Sequence, residues 1–144
     1  MAPPPAPTPA SSSSPEPDPE AGVTVYDVIG EDGFARLTRA FYEQVRADDI
    51  LAPMYPDDDW DGAEQRLRDF LVFRFGGPAR YIKARGHPRL RMRHMPFPID
   101  RAARDRWMLL MTKAMHDAKL PKEVAVVLGR FFDGTATFMM NREG

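Results

Sequence analysis

His94 is the side chain best suited to metal chemistry in this sequence, because its neighbours along the chain are apolar. Those neighbours are Leu90, Met92, Met95 and Phe97. A neutral imidazole in such surroundings, with one ring nitrogen free, can ligate a metal, although a lone histidine more often has a structural role. His87 and His116 are the other histidines, and neither has the compact spacing that zinc sites use. Carboxylates remain open as extra ligands, but none lies nearby in sequence. The pattern favours a site with one histidine ligand.

The segment around His94 is also strongly basic. No Asp or Glu occurs between positions 71 and 99, and the basic residues are Arg80, Lys83, Arg85, Arg89, Arg91 and Arg93. A solvated charged face, a nucleic-acid stripe and an anion site beside a ligand pocket are three interpretations of this cluster. The anion site agrees with a single histidine ligand. In haem the porphyrin supplies the other four nitrogens, and its two propionates match arginine geometry.

Three aromatic residues with polar tips form a second candidate group. Tyr42 follows Phe41 on the first predicted helix, Tyr55 lies in the next turn, and Trp107 lies on a later helix. A buried hydroxyl or indole N–H needs a hydrogen-bond partner, so Phe or Leu would build a plain core more cheaply. Tips facing one pocket could stabilise a ligand with partial negative charge. Each tip alone could equally reach water or a backbone carbonyl.

Bulk composition narrows the class of protein. The chain has 144 residues, of which 43% are hydrophobic and 28% charged, as expected of one globular domain. It has no cysteine, which excludes disulfides, iron–sulfur clusters and thiol catalysis. It has no apolar run long enough to span a membrane and no signal-peptide pattern, so we expect a cytoplasmic protein. A net charge of -1 gives no reason to expect a nucleic-acid partner.

The chain divides into two predicted regions. Residues 1–22 contain eight of the 15 prolines and no large apolar side chain beyond the first methionine, which predicts a disordered Pro/Ala/Ser-rich tail. Residues 23–144 form the predicted folded domain. Its apolar residues recur at spacings of three and four, which predicts an all-α fold with four principal helices.

Each predicted helix has an apolar face and a start or stop signal. We expect Asp59 to cap the second helix, the 76–78 Gly-Gly-Pro run to end it, Asp100 to cap the third, and Pro121 to begin the fourth. The predicted faces are Phe34, Leu37, Phe41 and Val45; Ala63, Leu67, Phe70, Leu71 and Phe75; Ala103, Trp107, Leu110, Met111, Ala114, Met115 and Ala118; and Val124, Val127, Leu128, Phe131, Thr135, Phe138 and Met139.

Taken in order, these motifs resemble those of the group II truncated haemoglobins, which are bacterial globin-like proteins. The resemblance extends over about residues 24–140. It is carried by Phe41-Tyr42, Met54-Tyr55-Pro56, Phe75-Gly76-Gly77-Pro78, the string GHPRLRMRH that ends at His94, Pro96-Phe97, and Arg104-Asp105-Arg106-Trp107. It implies a truncated globin domain, a two-over-two helical sandwich enclosing haem b. Two departures are Glu31 after Gly30, where the family often has a glycine pair, and Phe75, where many relatives have tryptophan.

The resemblance also implies roles for individual residues. His94 would be the proximal iron ligand, and Tyr42, Tyr55 and Trp107 would contact the gas ligand on the distal side together with Ala63 and Leu67. Ala63 cannot donate a side-chain hydrogen bond, so the aromatic residues would have to do so. The implied haem contacts are His94, Tyr55, Arg66, Leu67, Phe70, Phe75, Tyr81, Leu90, Met92, Arg93, Phe97, Trp107 and Met111, with Arg66 and Arg93 beside the propionates.

The leading functional hypothesis is reversible binding of O₂, CO and NO, without enzymatic activity as the primary role. One alternative is a haem enzyme, an NO dioxygenase or a peroxidase-like protein, that depends on an external reductase. Another is a cofactor-free helical interaction module that uses the basic segment to bind nucleic acid or an acidic partner. The globin interpretation expects neither a nucleic-acid partner nor a membrane span. It leaves open a homodimer and an electron-donor reductase.

Overall fold

The computed structural model describes residues 23–79 and 99–141, which contain four α-helices and one short 3₁₀ helix. Helix α1 spans Val25–Val45, the 3₁₀ helix Ala52–Met54, α2 Trp60–Arg74, α3 Arg101–Asp117 and α4 Lys122–Phe138. No strand occurs within these two ranges, and the all-α prediction is confirmed. The predicted tail and the segment with His87, His94 and the basic cluster lie outside the described residues.

Helix α1 begins with a reciprocal cap and contains one break. The Thr24 hydroxyl accepts a hydrogen bond from the Asp27 amide, and the Asp27 carboxylate accepts one from the Thr24 amide. Gly30 then has a φ of 65°, a left-handed backbone conformation that glycine adopts without steric cost. The break therefore needs only the single glycine at this position, and Glu31 can follow it.

The predicted boundaries of α2 and α3 are correct in position. Asp100 caps α3 as expected, since its carboxylate accepts a hydrogen bond from the Ala103 amide at 2.9 Å. Asp59 occupies the residue before α2, but it makes no side-chain cap and instead pairs with Arg66 at 2.9 Å. Helix α2 ends at Arg74, and Gly76 with a φ of 106° turns the chain away.

The core lies where α1 packs against α2 and α3, and α3 packs against α4. The predicted faces of α1, α2 and α3 supply most of it, with Leu67, Trp107 and Leu110 only partly buried. No helix in the described part of the chain is long and apolar enough to cross a membrane.

The predicted face of α4 is correct at Val124, Leu128 and Phe131, which are buried or packed against the core, but it is wrong at two other positions. Val127 and Phe138 were expected to face the core, yet they are 47% and 62% exposed. The buried stripe is Val124, Leu128, Phe132 and Ala136, at a constant spacing of four. The prediction chose Val127 and Phe138 because they lie beside the buried stripe and are more apolar than Ala136. Ala136 is buried because it is small.

Candidate functional site

Tyr42 and Tyr55 form a close pair at the end of α1. Tyr42 is 6% exposed on the inner face of α1, and Tyr55 is the partly buried residue that terminates the 3₁₀ helix. Their ring centroids are 5.6 Å apart with the ring planes perpendicular. The structure therefore brings together two of the three polar-tipped residues that the sequence singles out.

Both phenols remain protonated well above neutral pH. Burial, and then the charge and hydrogen bonding of Tyr55, raise the pKa of Tyr42 well above its usual value. Burial also raises the pKa of Tyr55, although Tyr42 and the Arg66 guanidinium act in the opposite direction. Each tyrosine therefore presents a neutral hydroxyl, which can donate a hydrogen bond.

Trp107 reaches this pair through one intervening ring. Phe41 lies 5.1 Å from the Tyr42 ring and 5.0 Å from the Trp107 ring, measured between centroids. On its other side Trp107 contacts Phe132 at 5.4 Å.

Trp60 is a member of this cluster that the sequence analysis missed. It begins α2, and its ring lies 5.3 Å from Tyr55 and 6.5 Å from Tyr42. The Arg46 guanidinium lies over the same indole at 5.6 Å. The available signal was its spacing of three residues from Ala63 on the apolar face of α2. We call Phe41, Tyr42, Tyr55, Trp60 and Trp107 the mixed ring group.

A second set of rings is formed by α2 and α4 and has no polar tip. Phe70 and Phe75 are buried, and their centroids lie 6.2 and 5.1 Å from that of Phe131. The Arg74 guanidinium lies about equally close to two of these rings, 5.1 Å from Phe75 and 5.0 Å from Phe131. We call Phe70, Phe75 and Phe131 the phenylalanine group.

The other predicted site residues in the described ranges lie on α2 and α3. Ala63 is buried and Leu67 partly buried on α2, while Met111 is fully buried on α3. Arg66, a predicted propionate contact, pairs with Asp59, and its charge acts on both tyrosines. Gly62 gives this pair room, since a side-chain carbon there would lie 3.0 Å from an Arg66 nitrogen.

The predicted iron ligand lies outside the described residues, as do five predicted haem contacts. These are His94, together with Tyr81, Leu90, Met92, Arg93 and Phe97.

The donor chemistry of the described residues fits one side of a haem pocket. Protonated phenols and an indole N–H are hydrogen-bond donors, which suit a ligand with partial negative charge rather than a bare cation. In residues 23–79 and 99–141 no three His, Asp or Glu side chains are grouped so that they could hold a metal ion. Apolar rings and aliphatic side chains surround the donors, as a porphyrin face requires.

Comparison with known proteins identifies the family. The model of the bacterial-like globins matches residues 24–141. Group 2 truncated hemoglobin YjbI of Bacillus subtilis (strain 168) is 37% identical over 117 residues, which cover 81% of this chain and 88% of that protein. A thermostable hemoglobin from the actinobacterium Thermobifida fusca shares 47% identity with a TM-score of 0.79, over 83% of this chain and 98% of its own.

A third relative is a solved structure described as a truncated oxygen-avid haemoglobin from Bacillus subtilis. It shares 36% identity with a TM-score of 0.78, over 82% of this chain and 99% of its own. Structural neighbours of this kind confirm the two-over-two helical sandwich. The chain therefore belongs to the bacterial-like globins as a group II truncated haemoglobin, a haem protein of the globin type.

Proposed function

We propose that this globin binds O₂, CO and NO reversibly, with haem b held by His94 and with Tyr42, Tyr55 and Trp107 as hydrogen-bond donors to the gas ligand. The observation that supports this is the mixed ring group, in which two phenol hydroxyls and two indole N–H groups lie close together among apolar side chains. Haem, when bound, supplies the iron at which a diatomic gas coordinates.

The chain's own contribution is to stabilise the ligand through these donors. Hydrogen bonds to a charge-bearing group contribute about 1.5–3 kcal/mol each. Two such bonds would slow O₂ dissociation about a hundredfold or more, since about 1.4 kcal/mol corresponds to tenfold. Neutral CO accepts hydrogen bonds less strongly, so we expect a smaller effect on its dissociation. Slow release suits storage or sensing better than rapid delivery, and one relative is named oxygen-avid.

Other side chains would hold the porphyrin. Leu67, Phe70 and Phe75 supply apolar surface along α2, and Arg66 and Arg93 are candidates to pair with the propionates. Arg66 would then exchange or share its partner Asp59, a pair in which both side chains are partly exposed at 35% and 44%. Such an exposed pair is weak enough to rearrange.

The decisive test is the absorption spectrum of the purified protein beside a His94→Ala variant. We expect a Soret band at about 400–430 nm, the signature of the cofactor, in the wild type. We expect a weakened or shifted band in the variant, with binding restored in part by added imidazole. His116→Ala is the matched control, because His116 is exposed at the end of α3. A native-like fifth-ligand spectrum in His94→Ala would contradict the proposal.

A further inference from the structure

The turn between α1 and the 3₁₀ helix is tied to α3 by a buried carboxylate, and we propose that this link, Asp48 with Arg106, positions Tyr55 in the ligand pocket. The inference rests on the proposed function, because it concerns the geometry of one of the proposed donors. Asp48 is not itself a member of the mixed ring group. It would be a positioning residue that acts through Tyr55.

Asp48 uses both carboxylate oxygens for contacts that define the turn. Its Oδ2 accepts hydrogen bonds from the backbone N–H groups of Ile50 at 3.0 Å and Leu51 at 2.9 Å. Its Oδ1 accepts a hydrogen bond from an Arg106 guanidinium nitrogen. The Asp48 side chain is only 7% exposed and Arg106 is 32% exposed, so the carboxylate is largely covered although its partner reaches the surface. Charge-assisted hydrogen bonds are stronger and shorter than neutral ones.

A short chain of backbone hydrogen bonds runs from Asp48 to Tyr55. The Ala52 N–H donates to the Asp48 carbonyl at 3.0 Å, and the Tyr55 N–H donates to the Ala52 carbonyl at 3.1 Å. Between them Leu51 is buried in the core, where it anchors the turn. The position of the Tyr55 backbone therefore depends on how the turn at Asp48 is held.

Arg106 connects the same turn to the segment that carries another proposed donor. It precedes Trp107 on α3, and the Trp107 ring packs against Phe41 at 5.0 Å. The same Arg106 nitrogen lies 3.3 Å from the exposed carboxylate of Asp49, which leaves Asp48 as its buried partner. The ion pair therefore fixes the spacing between the backbone of Tyr55 and that of Trp107.

Asp48→Asn is the sharpest change, because asparagine keeps the shape and one acceptor oxygen but removes the charge. The experiment measures O₂ dissociation from the haem-loaded protein in Asp48→Asn, Tyr55→Phe and the double variant. We expect Tyr55→Phe to accelerate dissociation about tenfold and Asp48→Asn about fivefold, within the range of coupling between residues of one network. The double variant should be no faster than Tyr55→Phe alone.

Asp133→Asn is the matched control. Asp133 pairs with Arg104, two residues before Arg106 on the same helix, but its carboxylate is 63% exposed and joins α3 to α4. We expect O₂ dissociation to be unchanged in this variant. If Asp48→Asn does not fold, Arg106→Met removes the same charge pair from the other side and should reproduce the fivefold acceleration.

Amide hydrogen exchange gives a readout that does not depend on the gas ligand. The Ile50 and Leu51 N–H groups should exchange severalfold faster in Asp48→Asn and at the wild-type rate in Asp133→Asn. Two results would overturn this inference alone. One is an Asp48→Asn acceleration that persists in the Tyr55→Phe background. The other is unchanged O₂ dissociation in Asp48→Asn when Tyr55→Phe does accelerate it. No effect of Tyr55→Phe itself would overturn both this inference and the role of Tyr55 in the proposed function.

Discussion

The mixed ring group and the phenylalanine group use similar ring spacings but differ in polarity. Centroid separations run from 5.0 to 6.5 Å in the first and from 5.1 to 6.2 Å in the second. The first carries two phenol hydroxyls and two indole N–H groups. The rings of the second carry no polar group, and the Arg74 guanidinium lies beside them. The fold thus separates a set of rings that can donate hydrogen bonds from a set of rings that offer only apolar contact.

This difference matters because a buried donor costs stability unless it has a partner. Leaving a buried polar group without a hydrogen bond costs about 1–3 kcal/mol. Phenylalanine at these positions would avoid the cost. The Tyr42 and Tyr55 hydroxyls meet part of this need through a hydrogen bond to each other. In the proposed function a bound ligand accepts hydrogen bonds from the donors of the mixed ring group, for which the phenylalanine group has no counterpart.

The largest effect is expected where the two groups meet, at Phe132. Its ring contacts Trp107 at 5.4 Å and Phe131 at 5.7 Å, and the side chain is almost fully buried. Phe132→Ala should lower the free energy of unfolding by about 3–5 kcal/mol, because it leaves a cavity. Chemical denaturation of the haem-loaded protein measures this.

Val127→Ala is the control for Phe132→Ala, since Val127 is the residue that the sequence expected in the core and that the structure exposes. We expect its effect to stay within about 0.5 kcal/mol, as for most surface substitutions. A large loss in Val127→Ala together with a small one in Phe132→Ala would mean that the face of α4 is assigned wrongly.

The next largest expected effect is on the rate of O₂ dissociation, which should change with substitutions in one ring group and not in the other. Tyr42→Phe and Trp107→Phe remove one donor each from the mixed ring group and should accelerate O₂ dissociation about tenfold to a hundredfold, the equivalent of one charge-assisted hydrogen bond. Phe131→Leu, in the phenylalanine group, should lower stability with little change in dissociation. Stopped-flow ligand displacement measures the rates.

Tyr26→Phe supplies the matched hydroxyl deletion for Tyr42→Phe. Tyr26 stacks on Phe34 near the start of α1, outside the mixed ring group. Equal acceleration in Tyr26→Phe and Tyr42→Phe, or more acceleration in Phe131→Leu than in either, would remove the distinction between the two groups.

Acid pH should weaken the turn that holds the mixed ring group. Burial alone would raise the pKa of Asp48, but hydrogen bonds from Leu51, Arg106 and Ile50 outweigh it and hold the pKa below its usual value. The charged form therefore contributes stability that is present above the unfolded-state pKa of about 3.9 and is lost as pH falls through the folded-state pKa.

We therefore predict that the difference in free energy of unfolding between the wild type and Asp48→Asn decreases as the pH is lowered. Asp48→Asn should be less stable than the wild type at pH 7, and the two free energies of unfolding should converge below about pH 4. Urea titrations at several pH values measure the gap, with Asp133→Asn as the exposed-carboxylate control. A gap that is constant from pH 7 to pH 3 would mean that the Asp48 charge does not stabilise the turn.

Much of the fold could be predicted because the apolar spacing of α1, α2 and α3 is regular. Phe34, Leu37, Phe41 and Val45 are all fully buried, as their period requires. On α4 two adjacent stripes are apolar, and only packing against α3 decides which one is covered. Periodicity cannot distinguish them, which is why Phe132 was overlooked in favour of Val127.

The sequence indicated which residue types form the candidate site, but it did not indicate which distant residues contact each other around it. Tyr42, Tyr55 and Trp107 stood out because polar-tipped rings are costly in a core. The link between Asp48 and Arg106 joins residues 58 positions apart, and an aspartate before a turn is common in any surface loop. Nothing local distinguishes a buried, arginine-bound carboxylate from a solvated one. Contacts of this kind need the tertiary structure.

The smallest effect concerns a site remote from both ring groups and shows whether stability and ligand release can be separated. Lys119 follows α3 with a φ of 57°, and the Leu120 and Lys119 amides donate back to Met115 and His116. This is the left-handed helix end that glycine favours. Lys119→Gly should therefore raise the free energy of unfolding by about 1 kcal/mol and leave O₂ dissociation unchanged.

Lys113→Gly is the opposite-signed control for Lys119→Gly. Lys113 lies inside α3 and pairs with Asp117 at 2.7 Å, so glycine there should cost about 1 kcal/mol. If O₂ dissociation follows these two changes in stability, the global stability of the fold sets ligand release. In that case the hydroxyl and indole N–H groups would not explain why substitutions in the two ring groups affect O₂ dissociation differently. If dissociation stays constant across both variants, the rate changes in Tyr42→Phe and Trp107→Phe can be assigned to the lost donors themselves.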